Sequence, residues 1–90
     1  MREVVATAPF RREAKKVQKQ GKDMRKMARI LDLLTAAEPI PFRHQDHPLK
    51  GNWKGSRELH IAPDWLLIYH VTEDTVFLER TGSHAELFEN

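Results

Sequence analysis

Apolar positions change period partway along this chain. Val4, Val5 and Ala6 make a short apolar run that predicts a strand, and Thr7 then offers an N-cap with Pro9 in the first helical turn. Phe10, Ala14 and Val17 recur at helical spacing among Arg, Lys and Gln until Gly21 interrupts. Asp23 caps a second helix through Met24, Met27, Leu31 and Leu34, with Ile30 and Leu33 widening its apolar stripe and Pro39 and Pro41 ending it. The two segments predict a helical hairpin with one apolar side. Residues 39–55 are irregular. The period then becomes two: Glu58-Leu59-His60-Ile61 alternates as a half-buried strand does, and Pro63-Asp64 makes a turn. Trp65 to Val71 is apolar on both faces and predicts a central strand. Glu73-Asp74 turns the chain into a strand from Thr75 to Arg80. Ser83 and Glu86 form a capping-box pattern, so a short last helix starts near His84. The expected class is α+β, with the hairpin covering one face of a small antiparallel sheet.

Ninety residues fit one domain, spanning 1–90, with a small core. There is no cysteine, which excludes disulfides, thiolate metal sites and cysteine nucleophiles. No apolar run approaches the ~20 residues of a membrane span, and Met1-Arg2-Glu3 is not followed by a signal-type apolar region. A soluble, cytoplasmic protein with no membrane partner is expected. Charge is distributed unevenly. Residues 1–30 hold ten Lys/Arg against three Asp/Glu, a surplus of seven positive charges; residues 31–90 hold five against ten, a deficit of five. Such a basic stretch suits a polyanion or an acidic protein partner, and equally a solvated helix face.

Candidate chemistry lies mostly in residues 44–88, at His44, Asp46, His47, Lys54, Arg57, Glu58, His60, Asp64, Arg80 and His84. Strand parity sends Leu59 and Ile61 to one face and Glu58 and His60 to the other. A hairpin over the Leu/Ile face leaves His60 open, with Asp64 within one turn as a carboxylate for its imidazole. A surface histidine and a turn aspartate fit the same pattern. His84 shares a helical face with Phe88, a pairing suited to base stacking, whereas Leu87 fits the core. Lys54 lies between Gly51 and Gly55, where a phosphate can approach the backbone. His44 and His47 resemble an H-x-x-H metal pair, but they fall in a loop broken by Pro48 and no H-E-x-x-H pattern exists. No metal or other cofactor is therefore expected. Histidines, a carboxylate and several cations are the parts needed for attack of an RNA 2′-oxygen on its adjacent phosphate: a base, an acid and fixed positive charge. Composition permits that chemistry without singling it out.

The spacing of longer motifs is more specific. Asp46-His47-Pro48-Leu49, Gly51-x-Trp53-Lys54-Gly55-x-Arg57, His60, Pro63-Asp64-Trp65 with Leu67 and Tyr69, Arg80-Thr81-Gly82-Ser83-His84 and Leu87-Phe88 together resemble YafQ-type toxins of the RelE superfamily. The resemblance covers nearly the whole chain and implies a RelE-like fold. It implies a type II toxin that enters the A site of the 70S ribosome, cuts messenger RNA without a metal, and is neutralised by a cognate antitoxin of the DinJ/RelB-like kind. The family's catalytic positions fall on His47, His60, Asp64 and His84, with Arg80 as a phosphate contact and Phe88 in substrate positioning. Lys54 and Arg57 are taken as further substrate contacts. The division into base and acid stays open: His60 or Asp64 on the 2′-OH side, His84 near the leaving group, His47 supporting the phosphate. The basic hairpin (Arg11, Arg12, Lys15, Lys16, Lys19, Lys22, Arg25, Lys26 and Arg29) would anchor the toxin on 16S ribosomal RNA through phosphate contacts. Two competing readings are a ParE-like or degenerate relative acting by protein binding alone, and a small RNA-binding module.

Overall fold

A computed structural model describes residues 1–88. Strand β1 (Glu3–Ala6) leads into helices α1 (Ala8–Lys19) and α2 (Met24–Thr35). Strands β2 (His47–Pro48), β3 (Arg57–Ala62), β4 (Trp65–Val71) and β5 (Thr75–Gly82) follow, and α3 (His84–Phe88) closes the described chain. Single 3-10 turns at Phe42–His44 and Gly51–Trp53 flank β2. The sheet order is β1-β5-β4-β3-β2. The four later strands pair antiparallel as expected, and β1 joins the edge of β5 in parallel.

The caps read from the sequence are in place. The Thr7 hydroxyl accepts the Phe10 amide at 3.1 Å, and Asp23 accepts the Arg25 amide at 3.0 Å. Gly21, at φ 86°, makes the left-handed turn between the helices. Ile30, Met27 and Leu34 carry the buried stripe of α2, whereas Met24 and Leu31 lie at its margin. Phe10 and Val17 join them over Leu59, Ile61, Trp65, Leu67, Tyr69, Val76 and Leu78. Each such side chain contributes roughly 1.5–3 kcal/mol of transfer free energy.

Strand β4 is central, and Leu66, Leu67 and Ile68 are wholly buried although they point to alternate faces. On the face away from the helices, Leu66 and Ile68 pack with Leu87, Leu49 and Trp53. This smaller apolar patch docks α3 on the sheet. Between the faces, the Trp65 indole N–H donates to the Thr81 hydroxyl, which donates to the Leu66 carbonyl, so these buried polar groups are satisfied.

Three local features differ from the expectation. His47-Pro48 is a two-residue edge strand rather than loop, because β3 begins at Arg57 and offers it a ladder. Strand β5 runs on to Gly82, since its last residues still pair with Leu66 and Leu67. Its register slips between Ile68 and Tyr69, which face Arg80 and Leu78, and leaves Glu79 as an extra, bulged residue. No helix among the described residues is long and apolar enough to cross a membrane.

Candidate active site

Strand parity places the site. Leu59 and Ile61 of β3 enter the core under the helices, so Glu58 and His60 face the opposite side. Leu87 anchors α3 on Leu66 and Ile68 of that side, and α3 delivers its first residue, His84, to His60. The two imidazole rings lie 5.6 Å apart at 65°.

A carboxylate sits beneath both rings. Glu58 is 5% exposed, and its Oε1 lies 3.7 Å from Nε2 of His60 and of His84. These distances are too long for hydrogen bonds, yet one buried carboxyl group faces both imidazole rings. Asp64 accepts from the His84 backbone N–H at 3.3 Å and lies 3.4 Å from its Nδ1. Asp64 thus partners His84 rather than His60, the neighbour expected from chain proximity, because the turn after β3 points it at the start of α3. The carboxylate next to His60 is Glu58. It was visible as a same-face neighbour of His60, but a glutamate on a strand carries no signal of burial.

An aromatic rim continues from the histidines. The Phe88 ring is 6.2 Å from His84 and 6.4 Å from Trp53, the latter in an edge arrangement, and Phe88 is 40% exposed. Trp53 stands in one of the motifs that carry the family resemblance, but nothing in that motif marks it for a role in this rim. His47 is exposed, bonds the Gln45 carbonyl through Nδ1 at 2.6 Å, and stands opposite Glu58 in the β2–β3 ladder, at the edge of the site.

Other candidates are engaged by other partners. Arg57 has the parity of Leu59, so it sits on the helix side, where it pairs with Asp46 at 3.2 Å while the Tyr69 hydroxyl donates to the same oxygen at 2.6 Å. Burial, then the bond to Asp46, holds the Tyr69 phenol well above its usual range. Arg80 is clamped by Glu13 of α1, with Nε at 2.8 Å and 2.9 Å from the two carboxylate oxygens, and the Thr81 N–H also donates to Glu13. That bond raises the Arg80 guanidinium further. Lys54 borders a separate small cavity with Ser56, His70 and Glu79. In the hairpin, Lys16 pairs with Glu86 at 2.7 Å, Arg25 with Asp23 at 3.0 Å, and Arg11 reaches the Ala6 carbonyl. Lys22 stands 6.0 Å over the Trp65 ring. Arg12, Lys15, Lys19, Lys26 and Arg29 have no ion pair among the described residues.

Neither His44 nor His47, the H-x-x-H pair that the sequence raised, belongs to a group of three potential ligands among the described residues; each directs Nδ1 at a backbone carbonyl, His44 at that of His60 at 2.6 Å. A different trio, Glu58, His60 and His84, offers three ligand atoms within 4.8 Å of one another. Two imidazoles and a carboxylate fit a zinc- or copper-like ion with positions left open.

The family model described as the bacterial toxin of type II toxin–antitoxin system, YafQ, matches residues 2–89. The chain is 42% identical to the mRNA interferase toxin YafQ of Escherichia coli K12 over 88 residues, which is 97% of this chain and 96% of that one. It is similar to the crystal structure of the E. coli DinJ–YafQ complex (TM-score 0.89, 42% identity, 98% and 99% of the two chains). It is also similar to the metal-bound toxin from Helicobacter pylori (TM-score 0.91, 38% identity, 98% and 100%). The motif spacing, the sheet order and these matches over nearly the full chain agree, and the protein belongs to the YafQ family of bacterial toxins of type II toxin–antitoxin systems.

Proposed function

We propose that the protein is an endoribonuclease that cuts messenger RNA in the ribosomal A site, by attack of a 2′-oxygen on the adjacent phosphate. The observation that carries this reading is the pair of imidazoles 5.6 Å apart on an open face, flanked by Glu58 and Asp64. In this reading His60 takes the 2′-OH proton and His84, oriented by Asp64, protonates the departing 5′-oxygen. Positioned groups of this kind contribute ~10²–10⁴-fold each. Glu58 stabilises whichever ring is charged, His47 and Lys54 meet the phosphates, and Phe88 stacks a base. Arg80 reaches the scissile phosphate only after leaving Glu13. Arg57, held on the other face by Asp46 and Tyr69, supports the segment before β2. The unpaired cations of α1 and α2 grip ribosomal RNA. The protein acts in the cytoplasm and is neutralised by an antitoxin, as the DinJ–YafQ complex of the similar E. coli protein suggests. The fold acts as one unit over residues 1–90.

The test is induction in the absence of antitoxin, with growth followed and messenger ends mapped by primer extension. Growth arrest with in-frame cuts that His84→Ala abolishes is the expected result. Arrest without cuts would instead favour the ParE-like, protein-binding reading.

A second reading concerns metal. The Glu58–His60–His84 trio, together with the metal-bound state of the similar H. pylori toxin, supports binding of a divalent transition ion here. Such an ion would supply Lewis acidity but would occupy the nitrogen lone pairs that proton transfer needs. Zinc titrated into the purified protein should bind and slow cleavage, and His60→Ala should lose the binding. Cleavage that requires zinc and stops with chelator would replace the metal-free scheme.

A further inference from the structure

A cavity separate from the imidazole pair lies beside Trp53. It has a volume of about 420 Å³ and is walled by Trp53, Lys54, Ser56, His70 and Glu79. The bulged Glu79 is part of its lining. With no partner in the ladder, Glu79 is free to turn its carboxylate toward the 51–56 loop. Oε1 accepts the Ser56 hydroxyl at 2.6 Å and meets His70 Nδ1 at 3.1 Å. Ser56 is buried, and the His70 ring lies flat on Phe77 at 4.4 Å. These contacts fix the carboxylate but engage only one of its oxygens. Oε2 has no hydrogen-bond partner among the described residues.

We propose that this cavity is a subsite for a nucleotide neighbouring the cut, in which the base stacks on Trp53 and Glu79 selects bases bearing an exocyclic amine over uracil. The proposal rests on the ribonuclease reading above. Trp53 walls the cavity and also touches Phe88, so one aromatic wall serves both places and a single strand can pass from His84 over Phe88 and Trp53 into it. Unpaired bases are held by such stacking and read along their hydrogen-bonding edges. Lys54 at the cavity border supplies a cation for the following phosphate. An ionised carboxylate only accepts hydrogen bonds. Adenine, cytosine and guanine can present an amine to it. Uracil places carbonyl oxygens on both sides of its one N–H, and these meet the carboxylate unfavourably.

Ribosomes programmed with messages randomised around the cut provide the test, comparing wild type with Glu79→Gln. Wild type should deplete uracil at one neighbouring position by about tenfold, the factor expected of one hydrogen bond to a charged group. Glu79→Gln should bring that ratio close to one, because an amide both donates and accepts. A merely structural Glu79 would lower cutting of all sequences alike and leave the base distribution unchanged, which overturns the proposal. Absence of any cutting by wild type overturns the ribonuclease reading, and this subsite with it. Should Glu79→Gln not fold, wild-type amide spectra titrated with the trinucleotides CCC and UUU, equal in size and differing in the amine, decide the matter. Signals of Trp53, Ser56 and Glu79 should move with CCC and much less with UUU. Equal movement, or none with either, overturns it.

Discussion

The Asp64 carboxylate meets His84 twice, at the backbone N–H and at Nδ1 of the ring. The first contact caps the start of α3, and the second turns Nε2 toward Glu58. The two roles separate by substitution. Asp64→Asn keeps an oxygen for the backbone but loses the charge beside the ring; Asp64→Ala loses both. We expect about tenfold slower messenger cleavage for Asp64→Asn, well short of the loss on removing a proton-transfer group. Asp64→Ala should be slower still and melt at lower temperature. Full activity in Asp64→Asn would assign the residue to capping alone.

His60 and His84 should behave as one unit. Each single change to alanine is expected to cost ~10²–10⁴-fold in cleavage. Residues that serve one step lose far less than the product when removed together. The double variant should therefore be little worse than the weaker single, by end-mapping on programmed ribosomes. Losses that multiply would separate the two rings into independent functions.

Acid should loosen α3. Glu86 bonds Lys16 and accepts the Ser83 amide, and these contacts hold its carboxyl down to about 2 from its ordinary 4.5. A depressed carboxyl stabilises the fold fully above its ordinary value, and the contribution is lost as pH falls from about 4.5 toward 2. Lys16 is largely exposed, so the pair is screened, and with the capping box included Glu86→Ala should cost about 1 kcal/mol at neutral pH. Denaturant melts at pH 7 and pH 3 check this. The variant should fall below wild type at pH 7, and the gap should narrow at pH 3. A constant gap would point to lost packing instead.

What the sequence disclosed follows from range. Periods of 3.6 and 2 are local, and they placed both helices, the core face of β3 and the doubly buried β4 from residues such as Phe10, Val17, Leu59 and Ile68. The parity that put Leu59 inside also put His60 outside, so half of the candidate site followed from one strand. Pairings set by the tertiary fold had no local signature. The bulge at Glu79 depends on how β5 meets β4, and the switch of Asp64 from His60 to His84 depends on where α3 lands. Arg57 illustrates the same limit: its motif position suggested a substrate contact, while its parity with Leu59 carries it to Asp46 and Tyr69 on the other face.

Arg80 makes the sharpest case, because its motif role and its structural role compete. The guanidinium is gripped by Glu13, which also accepts the Thr81 amide beyond the point where β1 stops covering β5. Both side chains are mostly buried, so hydrogen bonds to these charged groups are worth about 1.5–3 kcal/mol each in context. Glu13→Gln should therefore lower stability by that order, seen as an earlier urea midpoint. Its effect on activity is the informative quantity. If Arg80 serves the scissile phosphate, releasing it from Glu13 removes a competitor for the same cation, and Glu13→Gln should cleave as fast as wild type or faster at temperatures where it is folded. Arg80→Ala should then be slow at those same temperatures. Equal slowing by the two changes, in step with their loss of stability, would make Arg80 a brace between α1 and β5 and leave phosphate binding to His47 and Lys54.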